Sequence, residues 1–294
     1  MYEKLLVLSD GSDLSELVLP YVEELGERLG SQIILLHVCP PELGRFSHKH
    51  MVYIENMGQV VKEHLKGADK VEPVLLAGEP IKEIIGYAKK ENIGLIALVS
   101  HGQSGVKPWV VGSTANKVLR ATRKPVLLIR AQAPLAVRGK GILNKLLVPL
   151  DGSKEGEAIL PCVEGLVSGG AIKPEAEVTL LQVIAPEHYV PSGGGLTREP
   201  YSEEGIEQLK AKARTYLEKA GSGLKTKGVS AKSEVAVGDA AQEIIELAGK
   251  INANLTAMSS HGYSGFSQLF LGSVSDRVLH HGNTPLLLAK PAGA

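Results

Sequence analysis

The chain has 294 residues, 44% hydrophobic and 22% charged, enough for one large or two average packed domains and too apolar for a disordered polymer. Lys plus Arg balance Asp plus Glu at 32 each with no long basic run, which argues against bulk binding to nucleic acid or an anionic membrane. The longest apolar runs, "LIALV" and "PLLLA", fall far short of the roughly 20 residues a spanning helix needs, and "MYEKLLVLSDGS" meets turn residues too early for a signal peptide, so a cytoplasmic protein is expected.

From the N-terminus, "KLLVLS" predicts a strand that stops at Asp10-Gly11-Ser12. "SELVLPYVEELGERLG" predicts a helix, "QIILLHV" a second strand, "MGQVVKEHLKG" a helix and "VEPVLLA" a third strand. "EPIKEIIGYAKKEN" places Ile81, Ile84, Ile85 and Ala88 on one helical face. "IGLIALV" is a fourth strand, followed by Ser100-His101-Gly102, an arch of nine residues, and Gly112-Ser113 opening the helix "STANKVLRATRK". "PVLLIR" closes the series as a fifth strand. These runs are nearly continuous in Val, Ile and Leu, as in strands buried on both faces of a parallel sheet.

The series is then written a second time. "KLLVLSDGSDLSE" returns as "KLLVPLDGSKEGE", "LLHV" as "LLQV", the stretch ending at Gly102 as one ending at Gly262, and "KPVLLIR" as "TPLLLAK". The offset between equivalent positions grows from 141 (Lys4 to Lys145) to 145 (Leu35 to Leu180) and 160 (Gly102 to Gly262). The late jump marks an insert, "IAPEHYVPSGGGLTREPYSEEG", whose proline and glycine content reads as a mobile surface loop. Strand and helix alternate through five strands in each half. The expected fold is therefore α/β, two doubly wound five-stranded parallel-sheet domains, each a three-layer sandwich, at residues 1–132 and 143–294.

Open parallel sheets bind ligands beyond the carboxyl ends of their strands, where strand order reverses. Asp10-Gly11-Ser12 and Asp151-Gly152-Ser153 end the first strand of each half, while Gly112-Ser113 and Gly272-Ser273 open the last helix. Glycine lets backbone approach a ligand, and a helix start presents bare N–H groups at the positive end of its dipole. A carboxylate across the cleft can accept from a ribose hydroxyl or a base amino group. Singly, these features are ordinary caps and turns. Together and in one order, they suit a nucleotide.

The chain resembles the universal stress protein family, in its tandem two-domain form, through the strand-terminal Asp-Gly-Ser, "H-V", "G-x-P", the glycine motif and "P-V-L-L". The resemblance implies the adenine nucleotide alpha hydrolase-like fold, a role in stress response, and ATP or AMP as ligand, with Mg²⁺ on the phosphates. Its ATP-binding branch carries G-x2-G-x9-G-[S/T]; here the first glycine is replaced by Val99 and Ser259. Carried over position by position, Asp10 and Asp151 would lie near adenosine, Val38 and Val183 against adenine, and Leu98 and Met258 at the end of the fourth strand. Gly102, Gly112, Ser113 and Thr114, with Gly262, Gly272, Ser273 and Val274, would wrap the phosphates. β-branched Val99 and the stiff Pro108-Trp109 make the second half the better site.

The resemblance also implies edge-to-edge pairing of the two halves through Val126–Arg130 and Leu286–Lys290, an unidentified protein partner, and a homodimer as a further association. No catalytic base or nucleophile is identifiable, so no enzyme beyond a slow ATPase is expected. His101 and His261 read as loop or packing residues, Cys39 and Cys162 as buried small hydrophobes, and the unduplicated His48, His50, His280 and His281 carry no metal motif. Two functional readings stay open: a nucleotide-binding regulator, favoured by the retained Gly-x9-Gly-Ser, and a nucleotide-free scaffold for protein contacts.

Overall fold

The computed structural model describes residues 1–39, 48–65, 70–100, 111–130, 141–169, 175–192, 195–262 and 271–291. The first half supplies β1 (Lys4–Ser9), β2 (Gln32–Cys39), β3 (Val71–Ala77), β4 (Leu95–Val99) and β5 (Val126–Ile129), with α1 (Leu19–Leu29), α2 (His48–His64), α3 (Pro80–Lys90) and α4 (Ser113–Ala121). The second half repeats them as β6 (Lys145–Pro149), β7 (Glu177–Ile184), β10 (Ser230–Val237), β11 (Leu255–Ser259) and β12 (Leu286–Ala289). Its helices are α5 (Leu160–Ser168), α6 (Glu203–Ala220), the short α7 (Ser222–Thr226), α8 (Ala240–Lys250) and α9 (Ser273–His281).

All ten strands form one sheet in the order β10-β7-β6-β11-β12-β5-β4-β1-β2-β3. Within each half every pairing is parallel and the order reverses between the first and fourth strands. Alternate side chains feed opposite layers. Leu5 and Val7 pack into one core with Val22 and Leu25 of α1 and Ile54 and Val61 of α2. Leu6 and Leu8 pack into the other with Ile84 of α3 and Val118 of α4.

The halves meet where the sequence led us to expect. β5 and β12 pair antiparallel, with Leu128 opposite Leu286, Leu127 opposite Leu287 and Val126 opposite Leu288. Arg130 and Lys290 follow these strands. Arg130 donates to the carbonyls of Val278 (2.9 Å) and Leu279 at the end of α9, and Lys290 Nζ donates to the Arg120 carbonyl (2.5 Å) near the end of α4. Each half thus places a cation on the carboxyl end of the other's last helix, where the dipole is negative.

Two expectations need correction. The insert, expected as a mobile surface loop, contains regular structure: β8 (Glu187–Ser192) and β9 (Gly195–Pro200) form an antiparallel hairpin, with no strand pairing to the ten-stranded sheet among the described residues. Its glycines separate two runs containing Tyr189, Val190, Leu196 and Thr197, which are strand formers. Arg198 Nε donates to the Tyr189 hydroxyl across the hairpin (3.0 Å), and His188 stacks on Tyr201 with centroids 4.2 Å apart. Helix α2 begins at His48 rather than Met57, because Ile54, Met57 and Val61 continue one buried face toward the N-terminus. Among the described residues no helix is long and apolar enough to cross a membrane.

Candidate functional site

The two Asp-Gly-Ser turns are built alike. Asp10 Oδ1 accepts from the Ser12 amide (3.1 Å) and hydroxyl (2.6 Å); Asp151 Oδ1 accepts from the Ser153 amide (3.0 Å) and hydroxyl (2.5 Å). Gly11 and Gly152 have φ of +83° and +85°, a conformation that a side chain disfavours. The serine hydroxyls then accept from the amides of Ser15 (3.2 Å) and Gly156 (2.9 Å), starting the chain toward α1 and α5. The turn thereby fixes each carboxylate at the strand end.

Across the point of strand reversal, the start of each last helix is fastened to the end of the fourth strand. The amides of Gly112 and Gly272 donate to the carbonyls of Ser100 (2.7 Å) and Ser260 (2.8 Å). Gly112 and Gly272 occupy the N-cap positions of α4 and α9, and no side chain caps either helix. The first intrahelical bonds come from the amides of Asn116 (3.0 Å) and Asp276 (2.8 Å), so residues 113–115 and 273–275 precede them at the positive pole. Ser113 and Ser273 are first-turn residues, and the N-cap positions are taken by the glycines.

These parts enclose one cavity in each half. The second, about 300 Å³, is lined by Asp151, Val183, Met258, Gly262, Gly272, Ser273 and Val274 among others. The first, about 310 Å³, is lined by Asp10, Val38, Leu98, Gly112, Ser113 and Thr114 among others. Every residue carried over to the nucleotide lines its cavity except Gly102, which lies outside the described residues together with His101, Pro108 and Trp109; Gly11, Ser12, Gly152 and Ser153 shape the turns without lining either cavity.

Sequence reasoning reached only part of the apolar wall. Leu36 and Ile84 line the first cavity, with Leu181 and Ile244 at the same positions in the second. The period of two along a strand puts Leu36 beside Val38 and Leu181 beside Val183, so the signal was there to use. The cavities differ at the fourth strand, where the first carries Val99 and the second Ser259. The second also receives His261, whose Nδ1 lies 2.9 Å from the Ser260 hydroxyl while Nε2 is buried with no partner among the described residues. Tyr216 lies close enough to feel Glu157 and Asp151. Burial, reinforced by those carboxylates, raises its phenol above the ordinary range and keeps it protonated. In the first half, burial holds the His37 imidazole below its ordinary value, against the pull of its bond to the Ser9 carbonyl.

The sequence profile of the Universal stress protein family matches residues 1–130 and again 143–290. The chain belongs to the universal stress protein family. Universal stress protein YxiE of Bacillus subtilis is 32% identical over 148 residues, which is all of that protein and 44% of this chain. Universal stress protein MJ0577 of Methanocaldococcus jannaschii is 26% identical over 155 residues, covering 96% of that protein and 44% of this chain. These universal stress proteins are matched nearly whole by half of this chain, which carries the unit twice. The crystal structure of a universal stress protein from Archaeoglobus fulgidus covers 99% of this chain and 100% of that one, with 22% identity and a TM-score of 0.66. One from Pseudomonas aeruginosa covers 99% and 94%, with 18% identity and a TM-score of 0.69. At those identities the agreement is one of fold, and it spans both halves.

Proposed function

We propose that this universal stress protein binds an adenine nucleotide, ATP or AMP, in its second half, and that occupancy regulates contacts with a protein partner during stress. One observation carries the reading: an uncapped helix start with Gly272-Ser273 faces a strand-end carboxylate, Asp151, across a cavity walled by Leu181, Val183, Ile244 and Met258. The apolar wall suits a purine, the carboxylate suits hydroxyl or amino hydrogens, and the helix start suits phosphate. At about 300 Å³ the enclosed space is of nucleoside size, with the phosphates directed to the helix mouth. Among the described residues the lining has no cluster of oxygen ligands for a cation, so Mg²⁺ would be held by phosphate oxygens and water.

The first half has the same frame but Val99 in place of Ser259, and it is proposed as the weaker site. The proposed role is binding and signalling, with hydrolysis slow or absent.

Calorimetric titration of the full chain with ATP and with AMP tests this. One strong site is expected, weakened roughly tenfold or more by Asp151→Ala and little by Asp10→Ala. Absence of heat with either nucleotide, or binding indifferent to both substitutions, overturns the proposal and leaves a scaffold whose paired halves serve protein contacts alone.

A further inference from the structure

Beneath the first cavity, on the opposite face of the sheet, three side chains converge that the nucleotide reading does not use. His37 and Cys39 project from β2 toward α2, whose first turn carries His50. One ligand atom from each of the three lies within 4.8 Å of the others. His37 and Cys39 are each 3% exposed, and His50 is half-buried.

The hydrogen bonding fixes what these atoms offer. His37 Nδ1 lies 2.9 Å from the Ser9 carbonyl, which can only accept, so Nδ1 carries the proton and Nε2 presents a lone pair. That lone pair points at His50 Nδ1, 2.9 Å away, and the two rings stack at 4.9 Å. An imidazole oriented by a backbone carbonyl through one nitrogen while the other is presented to its neighbours is the usual arrangement of a metal ligand.

We propose that His37, Cys39 and His50 bind a zinc-like cation, with the fourth position left to water. Two imidazoles and a thiolate without oxygen donors match Zn²⁺ and disfavour Mg²⁺ or Ca²⁺. Tetrahedral bonds of about 2.0–2.1 Å set the two nitrogens about 3.3 Å apart, so the 2.9 Å contact needs to open by only a few tenths of an ångström. Binding replaces the thiol proton, which leaves to solvent, by a metal–sulfur bond. The site is private to the first half. The β2 positions of His37 and Cys39 correspond in β7 to Gln182 and Ile184. It does not depend on the nucleotide: Val38, which lines the cavity, points to the other face.

The test uses the full chain, reduced and stripped of metal by a chelator, titrated with Co²⁺ as a visible stand-in for Zn²⁺. One equivalent is expected to produce tetrahedral d–d bands and a near-ultraviolet thiolate-to-cobalt band, both bleached by Zn²⁺. Cys39→Ser removes the charge-transfer band. His50→Gln, on a half-exposed helix face and so expected to fold, weakens binding by more than the roughly 10–100-fold that a supporting partner costs. His280→Gln combined with His281→Gln changes nothing. Absence of bands in the parent protein overturns the proposal and makes the His37–His50 contact a structural hydrogen bond, and so do bands that survive Cys39→Ser and His50→Gln unaltered.

Discussion

The Asp151 carboxylate rests on the α-carbon of Gly262. A Cβ built on Gly262 would collide with Asp151 Oδ2 and stand 3.1 Å from Cγ. The glycine therefore serves the carboxylate that ends β6 before it serves any ligand, and its substitution acts on the site through Asp151. Gly262→Ala is expected to destabilise the protein by about 1–3 kcal/mol as the carboxylate is displaced. In an Asp151→Ala background the same change should cost little, giving a coupling of about 1–3 kcal/mol in urea unfolding. Additive costs would show that the contact is not the reason for the glycine.

Arg130→Ala removes a buried guanidinium that burial pushes down to about 10 yet leaves charged at neutral pH. The Leu279 carbonyl loses the Arg130 donor, and the Val278 carbonyl keeps only the Gly282 amide. A loss of about 3 kcal/mol is expected in guanidinium unfolding. Lys290→Ala, which removes one bond from a more exposed group, should cost about 1 kcal/mol or less. Equal effects would contradict the asymmetry between the two cations.

At the seam, Leu127 and Leu287 face each other in register, each 1% exposed. Leu287→Ala is expected to cost about 2–5 kcal/mol, the range for a buried leucine, with an unchanged dependence on denaturant. A cost below about 1 kcal/mol would mean that the seam is not part of the shared core.

Asp239 caps α8 through the Gln242 amide (3.0 Å) and pairs with Arg277 of α9 (2.7 Å). The hydrogen bond and charge of Arg277 hold its carboxyl below the ordinary value of 3.8. The folded state therefore binds the proton less well than the unfolded state. Its stabilisation is fully present above the ordinary value and is lost as pH falls through the lowered one. Relative to Asp239→Asn, the parent should be more stable at pH 6, with the difference closing in strong acid. A gap that widens on acidification would reverse the sign.

Much of this was readable before any coordinates. Strands buried on both faces announce themselves as Val, Ile and Leu runs, and the family resemblance implied the seam at Val126–Arg130 and Leu286–Lys290, where β5 and β12 pair. Asp10, Asp151 and the two Gly-Ser pairs followed from where strands end and helices begin, while Val38, Val183, Leu98 and Met258 came from the family resemblance. What escaped depends on packing between distant segments. The start of α2 was missed because its first turn has little apolar character, and with it went the meeting of His50 with His37 and Cys39. The hairpin was hidden by glycines that signal a loop as readily as a turn. The role of Gly262 was invisible because spacing cannot say which atom fills the space a side chain would take.

Strands β5 and β12 belong to one polypeptide, so dilution cannot part the two halves as it parts the subunits of a dimer. A pair of identical single units must carry two copies of every feature. Here Val99 always accompanies Ser259, and the thiol–imidazole cluster always sits opposite a half that lacks it. The molecule is in effect an obligate heterodimer encoded as one chain, free to specialise each side without ever meeting itself in the wrong combination.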